Sequence, residues 1–168
     1  MKITKIKRFP VHLKCKKVGW AGDEYVWPSR LPSVIVKIFT DEGVTGIGEG
    51  TGQLWYLGET LAHINRVVEI FEDNLIGENP LEIENIHHIM DQTVGGGTPG
   101  SRSAFSAIDI ACLDIIGKAN DVPIYDVLGG AYRKEFNLLT NLYQKTSQDM
   151  KNACEKYIDE GFKGLKIK

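Results

Sequence analysis

The sequence predicts an α+β domain followed by the opening of a β/α array. In residues 2–50, short runs of alternating polar and apolar side chains have the two-residue period of β-strands. Residues 58–120 change to the spacing of three and four residues that is typical of amphipathic helices. Residues 136–168 then return to a strand, a helix and a strand. That order implies a parallel pair of strands joined by a helical crossover.

Three strands are predicted at the start of the chain. They cover residues 2–13, 33–40 and 44–50, and Asp41-Glu42-Gly43 forms the turn between the second and the third. Short connections of this kind join antiparallel neighbours. We therefore expect a three-stranded antiparallel meander, with an irregular, aromatic segment at 14–32 between its first two strands.

Helices follow the meander. Apolar residues recur at helical spacing in 58–75 and again in 83–90. The helix over 103–120 has apolar or small residues almost all round, so we expect it to be the most buried one. Among its polar residues, Asp114 and Lys118 are four positions apart and can form an ion pair.

The last part of the chain predicts a β-α-β unit. Residues 136–143 have a strand pattern, 147–160 a helical pattern and 163–168 a strand pattern. Ser147 is the expected N-cap of this helix.

Composition excludes several functional classes. The 168 residues carry a formal net charge of -2, so no basic field favours nucleic acid or an anionic membrane as a partner. Cys15, Cys112 and Cys154 are odd in number and form no CxxC pair, which favours a reducing compartment. The N-terminus has no apolar run long enough for a signal peptide or a membrane span. We expect a soluble cytoplasmic protein.

The strand end at Lys166 and Lys168 is the first candidate for chemistry. Two residues apart on a strand, both side chains point to one face. Because two ammonium groups repel each other, one of them loses its proton more easily, and the neutral amine can act as a base. The alternative is a solvated strand terminus that carries two lysines, a common arrangement.

Two other motifs favour structural explanations. The loop Gly95–Gly100 precedes a helix, but it has the spacing of neither a P-loop nor a dinucleotide fingerprint, so a flexible connection is favoured. His87 and His88 follow Glu84 without a third metal ligand, which favours a partly exposed helix face.

Large aromatic residues are concentrated in two Gly-containing loops, at 15–32 and 51–58, that flank the meander. Aromatics in such loops either fill the domain's own core or line a pocket, and both possibilities remain open. The residues are Trp20, Tyr25, Trp27, Trp55 and Tyr56.

Three stretches occur together in a familiar order: TDEGVTGIGEG at 40–50, SAFSAIDIACLDIIGKANDVPIYDVLGG at 103–130, and GFKGLKIK at 161–168. With them the chain resembles the enolase superfamily, in particular its mandelate racemase and muconate lactonizing enzyme branch. The resemblance covers essentially the whole chain.

The resemblance implies a specific architecture. Residues 1–125 would be an α+β capping domain, with a three-stranded antiparallel meander followed by helices. Residues 126–168 would be the first β-α-β of a (β/α) TIM-type barrel, truncated after its second strand. Two loops of the capping domain, near 15–30 and 51–57, would close over the barrel mouth and select the substrate, which favours the pocket for the five aromatics.

The resemblance also implies a reaction. Lys168 would be the general base and Lys166 its neighbour, while Asp109 and Asp114 would have no catalytic role. The full-length protein would be an Mg²⁺-dependent isomerase or lyase that abstracts the α-proton of a small-molecule carboxylate to give an enediolate, as a racemase, an epimerase or an acid dehydratase. Family members hold Mg²⁺ with three acidic residues on the third, fourth and fifth barrel strands, positions beyond residue 168. They often form homo-oligomers.

A second function stays open at this point. The 168-residue chain by itself would be a non-catalytic truncated remnant, or a module whose aromatic loops bind a small ligand or a partner. We also expect the isolated chain to be poorly stable or to aggregate, because two strands of a barrel leave unpaired backbone groups.

Overall fold

The computed structural model describes residues 1–14, 30–54, 58–94, 100–143 and 146–167. The chain divides into two compact units, one made of residues 1–13 and 30–130 and the other containing all residues from 131 onward.

A three-stranded sheet opens the first unit. Its strands are β1 (Ile3–Lys14), β2 (Arg30–Thr40) and β3 (Thr45–Thr51), in the order β1-β2-β3. β2 and β3 are antiparallel, with Val36 opposite Gly48. These findings confirm the predicted antiparallel meander.

The described residues that follow the sheet in the first unit form the helices α1 (Leu61–Leu75), α2 (Ile83–Thr93), α3 (Arg102–Ala119) and the short α4 (Ile124–Val127). Thr60 caps α1, because its side chain accepts a hydrogen bond from the backbone N–H of His63. The apolar face of α1 is buried at Ile64, Val67, Val68, Phe71 and Leu75. The prediction that α3 is the most buried helix is confirmed, with buried positions at Ser103, Ala104, Ala107, Ile108, Ala111, Cys112, Ile115 and Gly117.

α3 lies directly on β3, and glycines make that approach possible. Every second residue of β3 is a glycine, and all three glycines are buried. A Cβ atom at any of them would overlap a backbone carbonyl oxygen of α3: Gly46 that of Ala111, Gly48 that of Ala107, and Gly50 that of Ser103. The small residues of α3 at intervals of four therefore face the glycines of β3 backbone to backbone.

The outer edge of β3 is satisfied by α3 as well. The predicted ion pair forms, with 2.6 Å between Lys118 Nζ and Asp114 Oδ2. The same carboxylate accepts a hydrogen bond from Ile47 N at 2.9 Å, and Lys118 Nζ donates to Thr45 O at 2.9 Å. The Asp114–Lys118 ion pair of α3 thus provides an acceptor and a donor for backbone groups on the free edge of β3.

The second unit contains the predicted β-α-β arrangement. β4 (Leu139–Leu142) and β5 (Gly164–Ile167) are parallel neighbours, and α5 (Ser147–Asp159) connects them. The prediction of Ser147 as N-cap is wrong by one residue. Thr146 has the extended backbone of a cap (φ -102°, ψ 152°), and its side chain accepts a hydrogen bond from Asp149 N at 3.1 Å. Ser147 is instead the first helical residue.

Within the described ranges, none of the helices has both the length and the apolar character needed to cross a membrane.

Candidate functional site

β5 presents the candidate catalytic lysine in the second unit. Lys166 is solvent-exposed and lies in register with Asn141 on β4. Register partners on neighbouring parallel strands project from the same face of the sheet. Leu165 and Ile167 alternate with Lys166 and therefore point to the opposite face. The face that carries Lys166 thus also carries a carboxamide, which can donate and accept hydrogen bonds.

Asn141 is a candidate site residue that the sequence pattern does not predict. Both strands were predicted, but the register between them depends on the crossover helix and its packing, which the sequence pattern does not give. The available signal was a polar residue in a short strand, Asn141 in FNLLTNLY, which becomes meaningful only when it is aligned with Lys166.

Most of the other predicted site residues lie outside the described part of the chain, so their roles stay predictions. They are Lys168, Trp20, Tyr25, Trp27, Trp55 and Tyr56.

A cleft of about 430 Å³, lined by charged, hydroxyl-bearing and glycine residues, lies in the first unit at the N-terminus of α3. Its most buried charge is Glu59, which is 4% exposed. Glu59 Oε2 accepts a hydrogen bond from Ser103 N at 3.1 Å. A carboxylate is favoured there, because the first N–H groups of a helix have no partner within the helix and carry a partial positive charge. The cleft is lined by Glu49, Gly50, Thr51, Glu59, Gly100, Arg102, Ser103 and Ser106.

The first turn of α3 contacts three further segments. Ser103 Oγ donates to Thr51 O at 3.1 Å, and Ser101 Oγ lies 3.0 Å from His63 Nε2 on α1. Arg102 lies 3.7 Å from the carboxylate of Asp91 on α2. Although Ser101 is the N-cap residue, its side chain makes no capping bond. The capping acceptor is supplied from outside the helix by Glu59.

The histidine pair on α2 has a structural partner. His87 Nε2 lies 2.6 Å from Asp109 Oδ1, which links α2 to α3. His88 and Glu84 are exposed, consistent with a partly exposed helix face. Among the described residues, no group of three or more His, Cys, Asp or Glu side chains could hold a metal ion.

Cys112 is excluded as a nucleophile. Burial, with a smaller effect from Asp109, raises the pKa of its thiol to about 12. The thiolate, which is the reactive form, is therefore absent near neutral pH.

Comparison with known proteins places these features in context. Residues 28–129 match a family model described as "Mandelate racemase / muconate lactonizing enzyme, N-terminal domain". The chain is 36% identical to an N-succinyl-L-Arg/Lys racemase from Bacillus cereus, over 100% of this chain and 44% of that protein. It is 32% identical to a cis-3-hydroxy-L-proline dehydratase from Roseibium aggregatum, over 100% of this chain and 45% of that protein.

A solved structure is also similar. The crystal structure of a dipeptide epimerase from Enterococcus faecalis, complexed with Mg and the dipeptide L-Leu-L-Tyr, superposes with a TM-score of 0.87 at 33% identity. The match covers 100% of this chain and 46% of that one. The chain thus spans less than half the length of each of these similar proteins.

Proposed function

Because the chain belongs to the mandelate racemase/muconate lactonizing enzyme family of the enolase superfamily, we propose that it is the N-terminal portion of a longer enzyme that removes the α-proton of a carboxylate substrate. The observation that carries this proposal is the parallel β4-α5-β5 unit, which presents Lys166 on an exposed strand face two residues before Lys168. Catalytic groups of barrel enzymes lie at such carboxyl ends of strands.

In the proposed reaction, Lys168 is the base. Its neutral amine accepts the proton from the α-carbon, which leaves the substrate as an enediolate. Lys166, two residues earlier in the sequence, would favour the neutral amine by charge repulsion and attract the substrate carboxylate. Asn141, whose carboxamide can donate and accept hydrogen bonds, would bind the same substrate, and its register with Lys166 supports this role.

We further propose an N-acylated amino acid or a dipeptide as the substrate, with epimerisation as the outcome. The support comes from the names of two similar proteins, a racemase of N-succinyl-L-Arg/Lys at 36% identity and a hydrophobic dipeptide epimerase at 38%. In both substrates, the acidic C–H lies between an amide nitrogen and a carboxylate. Mg²⁺ belongs to the proposal for the complete enzyme, with its ligands beyond residue 168, and is supported by the magnesium-bound structures among the similar proteins.

The test is a lysine substitution in the complete enzyme. Lys168→Ala is expected to slow the exchange of the substrate α-proton in D₂O by at least about a hundredfold, the range that a general base contributes. The exchange would be followed by proton NMR with N-succinyl-L-arginine and with L-Leu-L-Tyr. The matched control is Lys163→Ala, which removes an exposed lysine just before β5. Exchange that survives in Lys168→Ala would contradict the assignment of the base.

Two rival functions predict other results. An acid dehydratase is supported by similarity to the cis-3-hydroxy-L-proline dehydratase and to a D-xylonate dehydratase at 34% identity. It would remove the α-proton and the β-hydroxyl group as water, so that a 2,3-dihydroxy acid would give a 2-keto-3-deoxy acid. A non-catalytic binding module would give no exchange with any carboxylate, even in the wild-type protein.

We also propose where the enzyme is located and how it assembles. A reducing, cytoplasmic compartment is supported by Cys112 and Cys154, which are both free thiols. We also propose a homo-oligomer that recognises neither nucleic acid nor membrane, in keeping with the net charge of -2.

A further inference from the structure

β3 has one side paired with β2 and the other side at the edge of the three-stranded sheet. In an antiparallel pair, alternate residues direct their backbone N–H and C=O groups away from the partner strand. On β3 these are the odd-numbered residues, because Ile47 N and the carbonyl oxygens of Thr45 and Thr51 are bound by side chains of α3. An open edge of this kind can pair with an extended strand of another chain.

Two charged side chains of α3 close the first half of this edge. Asp114 Oδ2 accepts a hydrogen bond from Ile47 N at 2.9 Å, and Lys118 Nζ donates one to Thr45 O at 2.9 Å. Their ion pair, with 2.6 Å between Lys118 Nζ and Asp114 Oδ2, holds both side chains at the strand. Two backbone groups that an added strand would need are therefore already bonded.

The ion pair itself lies at the surface of the first unit. The side chains of Lys118 and Asp114 are 49% and 29% exposed. Exposed ion pairs contribute little to stability, so stability alone does not explain this one. What distinguishes it is its position, because both of its members bind outward backbone groups of an edge strand.

The other outer strand of the sheet is bound by the same kind of group. On β1, Ile6 N donates to Glu72 Oε1 of α1 at 3.2 Å. The second oxygen of that carboxylate, Oε2, accepts a hydrogen bond from Arg8 Nη1 at 2.7 Å. Each outer strand thus has an N–H bound by a helix carboxylate that a cation also holds. The repetition favours a common role, which is closure of the sheet edges.

β3 is suited to pairing with a second copy of itself. In an antiparallel pair of two copies centred on Ile47, the residue opposite Glu49 would be Thr45. The single charge of each strand would therefore meet a neutral residue rather than a like charge, which would be unfavourable. Such a contact is self-complementary, because the same patch of both copies meets across a two-fold axis.

We propose that the outward edge of β3 is a pairing surface for β3 of a second copy, and that Asp114 and Lys118 keep this surface closed. The proposal does not depend on the reaction that the enzyme catalyses. Loss of the two side chains opens a defined contact between copies, in addition to any assembly of the wild-type enzyme.

The first test opens the edge. In the complete enzyme, Asp114→Ala/Lys118→Ala is expected to increase the mass of the assembly at least about twofold, because every protomer then offers a self-complementary edge. Sedimentation velocity at increasing protein concentration measures the mass, and circular dichroism checks that the variant is folded. The amide of Glu49, at another outward position, should exchange at least about fivefold more slowly in the associated form.

Ile47→Pro distinguishes edge pairing from aggregation of a destabilised protein. Proline has no N–H to donate to an added strand, and at this position the N–H points away from β2, so the ladder between β2 and β3 is kept. Added to the double variant, Ile47→Pro is expected to restore the wild-type mass. If the double variant precipitates, recovery of soluble protein in the triple variant decides the same question.

The matched control removes another ion pair of α3. His87→Ala/Asp109→Ala deletes a pair of similar exposure that links α3 to α2, with 2.6 Å between His87 Nε2 and Asp109 Oδ1. This variant should keep the wild-type mass. Equal association of the control would overturn the proposal. An unchanged mass in Asp114→Ala/Lys118→Ala, or association that persists with Ile47→Pro, would overturn it as well.

Discussion

At the scale of single residues, the glycines of β3 allow the backbones of β3 and α3 to come into direct contact in the first unit. The sequence predicted a strand at 44–50 and a buried helix at 103–120, and both are present. It did not predict that they touch backbone to backbone, because a glycine at every second position is equally compatible with a flexible strand. The contact becomes evident only when Gly48 is placed against Ala107.

Gly48→Ala is the residue-scale prediction. The new Cβ would overlap the carbonyl oxygen of Ala107, and a backbone atom within a helix cannot move aside alone. We expect the substitution to lower the free energy of unfolding by about 3 kcal/mol or more, at the upper end for overpacked sites. Chemical denaturation measures the change.

Glu49→Ala is the control on the same strand. Glu49 is exposed on the opposite face, so its loss should change stability by no more than about 0.5 kcal/mol. Equal effects of the two substitutions would contradict the close approach of β3 and α3.

The candidate site shows the same limit of sequence analysis. Lys166 and Lys168 were found from a two-residue spacing, which is local information. Asn141 was not, because it becomes a neighbour of Lys166 only through the register of β4 and β5. Ser103 is a similar case, because its partners Glu59 and Thr51 lie 44 and 52 residues earlier in the chain.

At the scale of elements, the start of α5 is decided by one backbone conformation. Thr and Ser are both good N-caps, and TSQD offers both in succession. Thr146 takes the role because Asp149, three residues later, exchanges hydrogen bonds with it. If Ser147 were the N-cap, the residue three positions later would be Met150, whose side chain cannot form a reciprocal hydrogen bond with the cap.

Thr146→Ala is therefore expected to destabilise α5 by about 1 kcal/mol, the typical cost of a lost N-cap. Ser147→Ala, one residue later, should be close to neutral, since alanine is a better former of the helix interior than serine. Hydrogen exchange of the α5 amides in the complete enzyme measures both. A larger destabilisation of α5 in Ser147→Ala than in Thr146→Ala would identify Ser147 as the N-cap and contradict this assignment.

The edge of β3 is another case in which a local prediction was right but incomplete. The pair Asp114–Lys118 was expected from its i, i+4 spacing, and it forms. Its contacts with Ile47 N and Thr45 O depend on the packing of α3 against the strand, which no helical spacing can predict.

At the scale of the whole molecule, the sequence predicts the order of the secondary-structure elements better than the position of the boundary between the two domains. The meander, the helices and the β-α-β unit follow in the expected order. The domain boundary between residues 125 and 126 stays a prediction. Compactness divides the chain near residue 130, because α4 packs against α3.

The two units should differ in stability when residues 1–168 are expressed alone. The first unit has a continuous buried core that includes β2, α1 and α3. In the described residues beyond 130, Leu142 is the one buried apolar side chain, while Leu139, Ile158 and Ile167 are 58–68% exposed. We expect the β4 and β5 amides to exchange at least about a hundredfold faster than those of β2.

The complete enzyme is the comparison for this experiment. There we expect β4 and β5 to be protected, since their exposed apolar residues would be covered by the rest of the barrel in the proposed protein. A sharp, single melting transition of the isolated 168-residue chain, with β4 as protected as β2, would contradict the expectation of a poorly stable fragment.

The glycines of β3 also have a consequence during synthesis. A strand that presents bare backbone at Gly46, Gly48 and Gly50 can bury almost nothing until α3 exists, and the last residue of α3 is made 68 positions after Thr51. At the usual pace of translation, that interval lasts roughly 3 to 14 s. For those seconds the nascent sheet has an uncovered face and an open edge, and the arrival of α3 closes both at once. We therefore expect the first unit to acquire its fold late and in a single step, when Ala119 has left the ribosome.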